Sequence, residues 1–190
     1  VELAKRLLDN SNILSSLKDV KFFYGDDKMS HLGVYSSKTN ELTINSDKSK
    51  FTGRNNLNEV ILHEIIHAYT SKNLREILDN KNTNFPQEVI NAAKKIDSIR
   101  RGLLYSAKQN IPGFNDSLDR VKKFNDADKA NKPQLQSGDQ LAYGLIDSVD
   151  FVTMATTDSL FRQDLEKLSN QPIKNGSKLS DLWNALLEFL

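Results

Sequence analysis

From Leu57 to Leu78 the sequence reads as one long helix whose middle turns leave almost no polar face. Val60, Ile61, Leu62, Ile65, Ile66, Ala68 and Tyr69 surround its axis, the pattern of a helix buried on most sides. Asn55, Asn56 and Asn58 offer caps in front of it. A chain of 190 residues is long enough for one substantial domain and short for two. Hydrophobic residues make up 38%, below the usual globular share, so the expected core is lean and gathered around this helix.

The only polar side chains in that apolar stretch are His63, Glu64 and His67, and they spell His-Glu-x-x-His. On a helix, residues four apart are about 40° apart around the axis and one turn apart along it. Both imidazoles then face one point, as two ligands of a tetrahedral Zn²⁺ must. Glu64 reaches the same side and is placed to take a proton from an activated water, not to bind the metal. Burying three ionisable groups is costly unless they are paired or ligate a metal. The alternative is two core histidines bonded to backbone, with Glu64 at a surface edge. The chain has no cysteine and three histidines, the third being His31, so thiolate sites and disulfides are excluded.

The remaining pattern is mixed. Residues 1–18 carry helical spacing in Leu3, Ala4, Leu7, Leu8, Ile13, Leu14 and Leu17. Val20 to Tyr24 predicts a strand, followed by short strands at Leu32–Ser36 and Glu41–Asn45 joined by a turn at Ser37–Asn40. A helix is expected to start near Pro86, with Asn84 as its possible cap, and to show a stripe through Val89, Ile90, Ala93, Ile96, Ile99 or Arg100, then Leu103 and Leu104. Residues 111–140 are polar, with one short helix around Ser117–Phe124. Further helices are expected at about Leu141–Thr157, Asp158–Leu168 and Leu179–Leu190.

No histidine follows His67, so a third metal ligand must be a carboxylate farther along the chain. The strand segments Gly33-Val34-Tyr35 and Leu42-Thr43-Ile44-Asn45, followed by LNEVILHEIIHAYT, resemble the core of zincin-like metallopeptidases. More narrowly, residues 141–190 resemble the end of metallopeptidase domains embedded in polyvalent proteins of phages and mobile elements. The matching features are Asp150-Phe151, Phe161-Arg162-Gln163-Asp164-Leu165, and the terminal run from Leu182-Trp183 to Leu187-Glu188-Phe189-Leu190. The resemblance spans roughly residues 20–80 and 140–190, and only the His-Glu-x-x-His motif is highly specific. It implies an α+β, zincin-like fold, mostly helical, with a small N-terminal sheet whose edge strand flanks the active-site helix. It implies zinc held by His63, His67 and Asp150, with Glu64 as general base and a protein or peptide as substrate.

Two positions depart from the family pattern. Asp150 stands where the family has Glu, and Met154 stands where it commonly has an acid that orients a histidine. Asp147 is the rival ligand, and Asp147 or Asp158 could take over the orienting role. Tyr143, seven residues before Asp150, would share its face and could stabilise an oxyanion; the alternative is a half-buried tyrosine with its hydroxyl in water. His31 reads as exposed or as a substrate contact, and Tyr35 as flanking a cleft. Arg100-Arg101 and Lys122-Lys123 read as solvated helix faces.

A net charge of +1 gives no reason to expect nucleic acid or anionic membrane as partner. No run of about eighteen apolar residues is present, and the opening VELAKRLLDN is not a signal peptide. The chain is expected to be a single domain cut from a longer protein, virion-associated or secreted if the resemblance holds. Two other classes stay open: a catalytically silent metal-binding interaction domain, and a protease toxin delivered into another cell.

Overall fold

The computed structural model describes residues 17–27, 29, 32–51, 56–79, 84–127, 135–169 and 179–190. The segment 1–16 and His31, each carrying an expectation above, lie outside them. The chain divides into two compact units, Val1–Lys81 with Leu190, and Asn82–Phe189. The architecture is α+β and mostly helical, with a three-stranded sheet on the N-terminal side. Among the described residues no helix is long and apolar enough to cross a membrane.

The sheet of the first unit is set by alternation. Strand β3 (Glu41–Asn45) places Leu42 and Ile44 on the buried face, with Thr43 between them on the other. Strand β2 (Gly33–Ser36) returns antiparallel to it, pairing Gly33 with Ile44 and Tyr35 with Leu42. The connecting turn runs Ser37–Asn40, as predicted, and Asn40 takes a left-handed φ of 55°, which asparagine tolerates better than most residues. Strand β1 (Lys21–Gly25) pairs parallel with β3 on the far side, so the strand order is β1-β3-β2 and β2 forms an edge.

Asn40 also locks β1 in place. Its side-chain amide donates to the Asp19 carbonyl at 2.9 Å, and its own carbonyl accepts the Lys21 N–H at 3.0 Å. The Tyr35 hydroxyl closes the group by donating to Asn40 Oδ1 at 2.8 Å. Tyr35 thus helps to hold the turn, and burial pushes its hydroxyl pKa up.

Helix α1 (Leu57–Leu78) has the predicted bounds. Asn56 is its cap, accepting the Glu59 N–H at 3.1 Å. The helix packs against β2 and β3. Val20, Leu42, Ile44 and Ala68 form the buried cluster between sheet and helix, bordered by Val60, Ile61 and Ile65. Each fully buried aliphatic side chain of this kind contributes roughly 1.5–3 kcal/mol relative to exposure. Thr70 and Ser71, polar residues on buried positions, return their hydroxyls to the carbonyls of Ile66 and His67.

In the second unit α2 (Gln87–Asn110) touches every other helix: α3 (Phe114–Asp126), α4 (Gln140–Ile146), α5 (Ser148–Thr157), α6 (Ser159–Ser169) and α7 (Leu179–Phe189). Its buried stripe is Ala92, Ala93, Ile96, Ile99, Leu103 and Ala107; of the predicted stripe Ala93, Ile96, Ile99 and Leu103 are buried, whereas Val89, Ile90 and Leu104 are half-buried. The helix opens at Gln87, one residue after Pro86, and has no side-chain cap, so the Asn84 expectation fails. Helix α3 begins three residues earlier than expected because Gly113, at φ 74°, supplies the reversal that launches it.

The predicted helix Leu141–Thr157 is two helices. Asp147 leaves helical conformation, with φ −124° and ψ 146°, and its carboxylate caps α5 by accepting the N–H groups of Val149 at 2.8 Å and Asp150 at 3.4 Å. Gly144 on α4 allows the helices to close up. A Cβ there would strike the Phe161 ring and lie 2.9 Å from Met154 Sδ. Met154 is thus spent on packing against α4, which accounts for an apolar residue at that position.

Candidate metal centre

His63, Glu64 and His67 lie in the middle of α1, where the helix crosses the sheet of the first unit. The two imidazole rings stand with centroids 5.7 Å apart and planes tilted by 45°. With Zn–N bonds of about 2.0–2.1 Å and a tetrahedral angle, two rings sharing one zinc have centroids roughly 5 Å apart. The observed separation is close to that value. Both histidines are half-buried and Glu64 is buried.

Glu64 is pressed beneath the edge strand. Gly33 of β2 lies so close that an added Cβ would stand 2.8 Å from Glu64 Cγ, 2.8 Å from Val60 Cγ1 and 3.1 Å from Glu64 Oε1. The carboxylate occupies the space a side chain at position 33 would fill. This restraint was not evident from the sequence, where Gly33 read only as part of a strand; the pairing of β2 to β3 and its packing on α1 create it.

The acidic candidates belong to the second unit, and three of them separate by role. Asp147 caps α5. Asp158 caps α6, accepting the N–H groups of Leu160 at 2.8 Å and Phe161 at 3.1 Å. Asp150 sits in the first turn of α5 and is buried. Tyr143 lies on α4 and Asp150 on α5, so their spacing of seven does not give them a common helical face. The Tyr143 ring meets Phe124 edge-on at 6.4 Å. Among the described residues no three or more His, Asp or Glu gather into a group that could hold a metal ion.

The α4–α5 break is held by a polar network that the sequence did not reveal. Arg100, read above as solvated, donates Nη1 to the carbonyls of Leu145 at 2.8 Å and Ile146 at 3.2 Å. Its Nε and Nη2 bind Asp97 Oδ1 at 3.1 and 2.7 Å. Ser148 donates to the same oxygen at 2.7 Å, and Arg101 reaches Asp97 Oδ2 at 2.8 Å. Burial pushes the Asp97 carboxyl pKa up, but the Ser148 hydroxyl and the two guanidiniums outweigh it and hold the group below its ordinary value. Among the described residues every buried side-chain polar atom has a hydrogen-bond partner.

No protein-family model, curated protein or solved structure matches the chain.

Proposed function

We propose that this chain is a zinc-dependent peptidase domain of zincin-like type, with His63 and His67 as metal-binding side chains and Asp150, on the sequence resemblance alone, as the acid that completes the set. The observation that carries the reading is the His63–His67 ring pair, 5.7 Å apart on one helical turn, with Glu64 buried between them in sequence and tucked under an edge strand. Two imidazoles and a carboxylate form a donor set suited to catalytic zinc, which keeps a fourth position open. Zinc bound there would polarise a carbonyl and lower the pKa of water.

The chain's own residues supply the rest. Glu64 takes the proton from the attacking water and delivers it to the departing amine, acting as base and then as acid. Its burial beneath Gly33 limits the rotamers it can adopt.

The test is metal content and turnover in three proteins. Wild type binds one zinc and cleaves a peptide library in a chelator-sensitive way. Glu64→Gln keeps zinc and loses turnover, whereas His67→Ala loses zinc. A wild-type protein that takes up no Zn²⁺ overturns the proposal. Zinc binding without any cleavage supports instead a silent metal-binding domain.

A further inference from the structure

We infer that the outer edge of β1 is a self-association surface, on which a second copy of this chain docks antiparallel through Phe22, Phe23 and Tyr24 and joins the two sheets across a two-fold axis. The inference is independent of the metal reading, because β1 lies at the opposite edge of the sheet from β2, the strand against Glu64.

The Lys21 N–H donates to the Asn40 carbonyl at 3.0 Å, which fixes the phase of the parallel ladder between β1 and β3. Successive residues of a strand turn their N–H and C=O groups to opposite sides. Lys21, Phe23 and Gly25 therefore face β3, and Phe22 and Tyr24 direct both groups outward. Among the described residues nothing bonds to those outward groups. The side chains are open too: Phe22 is 56%, Phe23 47% and Tyr24 84% exposed. The register sets Phe22 beside Leu42 and Tyr24 beside Ile44, on the face that carries the buried cluster, yet both aromatics remain uncovered. Soluble proteins ordinarily blunt such an edge with proline, a bulge or a charge pointing inward. β1 pairs residue for residue with β3 and holds no proline.

The occupant is set by symmetry. On either side of Phe22 and Tyr24 the edge is closed, since the Val20 N–H donates to the Leu17 carbonyl and the Asp26 carbonyl accepts the Met29 N–H. One antiparallel register then satisfies every outward group of Phe22 and Tyr24 with a copy of the same strand: Phe22 opposite Tyr24 of the second copy, and Tyr24 opposite its Phe22. Each such pair exchanges both N–H···O bonds, and Phe23 falls on the two-fold axis opposite its own mate in a non-hydrogen-bonded pair. All three aromatics gain an aromatic cross-strand neighbour, a stabilising combination. The same arrangement brings Lys21 to the end of the other strand that continues into Asp26 and Asp27, so a cation meets an acidic turn in both halves. A foreign strand would have to match this pattern, whereas the chain matches it with itself. The contact closes at two copies because each spends its β1 edge on the other. It is a small interface, so the dimer forms in a concentration-dependent way.

The experiment is sedimentation together with thiol cross-linking, and the chain has no cysteine to confuse the second readout. Wild type is expected to pass from monomer to dimer between about 1 µM and 1 mM, the range in which small interfaces associate. Opposed residues of a non-hydrogen-bonded pair have Cα atoms about 4.5 Å apart, within disulfide reach, whereas diagonal neighbours lie about 7–8 Å apart, beyond it. Phe23→Cys is therefore expected to cross-link as a dimer under mild oxidation, and Phe22→Cys is not. Tyr24→Pro removes an outward N–H and no bond to β3, so it is expected to keep the wild-type circular dichroism and to sediment as a monomer. Phe23→Lys sets two like charges face to face and is expected to weaken the dimer about tenfold or more. It answers in place of Tyr24→Pro if proline disturbs the strand. A wild type that stays monomeric throughout the range overturns the inference. So does a dimer that survives Tyr24→Pro and Phe23→Lys, or one in which Phe22→Cys cross-links and Phe23→Cys does not.

Discussion

Gly33 and Glu64 are in such close contact that a methyl group on Gly33 would lie 2.8 Å from Glu64 Cγ. One residue comes from the edge of the sheet and the other from the buried helix, and neither position explains itself alone. The edge strand needs a glycine because a carboxylate lies beneath it. The carboxylate is restrained because the strand covers it. Sheet pairing and the chemistry proposed for α1 therefore meet at a single contact.

Gly33→Ala tests that contact. Real Cβ atoms essentially never approach another heavy atom closer than 3.0 Å, and here the methyl would press on Val60 as well as Glu64, so strand or side chain must move. Overpacking of this kind costs about 1–3 kcal/mol, measurable by denaturant unfolding. A displaced base also loses alignment, and misplacement by about 1 Å can cost on the order of 100-fold in rate. The expected result is a fall in kcat with zinc affinity within twofold of wild type, which separates movement of Glu64 from damage to the imidazoles.

Helix α1 was legible because three signals coincide over residues 56–78: an asparagine cap, unbroken apolar periodicity, and no glycine or proline. The hairpin was legible through the alternation of Leu42 and Ile44 and the turn residues before it. The α4–α5 break was not. Apolar spacing continues across Asp147 at helical period, and the acid at that position drew attention as a possible ligand. A local signal did exist: Asp147 stands three residues before Asp150, the spacing of a capping residue and an acid in the following first turn. The partner that secures the break, Asp97, lies 51 residues away, a distance that periodicity cannot bridge. The close approach of Gly33 to Glu64 was hidden for the same reason, since it depends on how the strand docks on the helix.

The two roles of the acids near the break can be separated by one pair of substitutions. Asparagine caps a helix about as well as aspartate, whereas alanine costs about 0.5–2 kcal/mol. Asp147→Asn is therefore expected to keep wild-type stability and wild-type zinc binding. Asp147→Ala is expected to lose stability on that scale through fraying of the first turn of α5. Zinc lost in Asp147→Asn at unchanged stability would show that Asp147, and not Asp150, is the acid that binds the metal.

Stability at low pH is expected to turn on Asp139. Its carboxylate is fully buried and is gripped by Arg120, whose Nη2 lies 2.7 Å from Oδ1 and whose Nε is 3.1 Å from Oδ2. The Gln136 N–H adds a third bond at 2.9 Å. Arg120 pulls the Asp139 pKa down from its ordinary 3.8 to about 2, against the opposing effect of burial. A carboxyl with a lower pKa folded than unfolded binds its proton more readily in the unfolded chain. Its contribution is therefore complete above pH 4 and is lost as pH falls from about 4 toward 2. Arg120 remains partly exposed, so salt screens the pair and softens the effect. Thermal unfolding followed from pH 6 to pH 2 should show the melting temperature of wild type falling most steeply in that window. Asp139→Asn should start lower at pH 6 and lose its share of the slope, and equal slopes in the two proteins would rule out Asp139 as the group responsible.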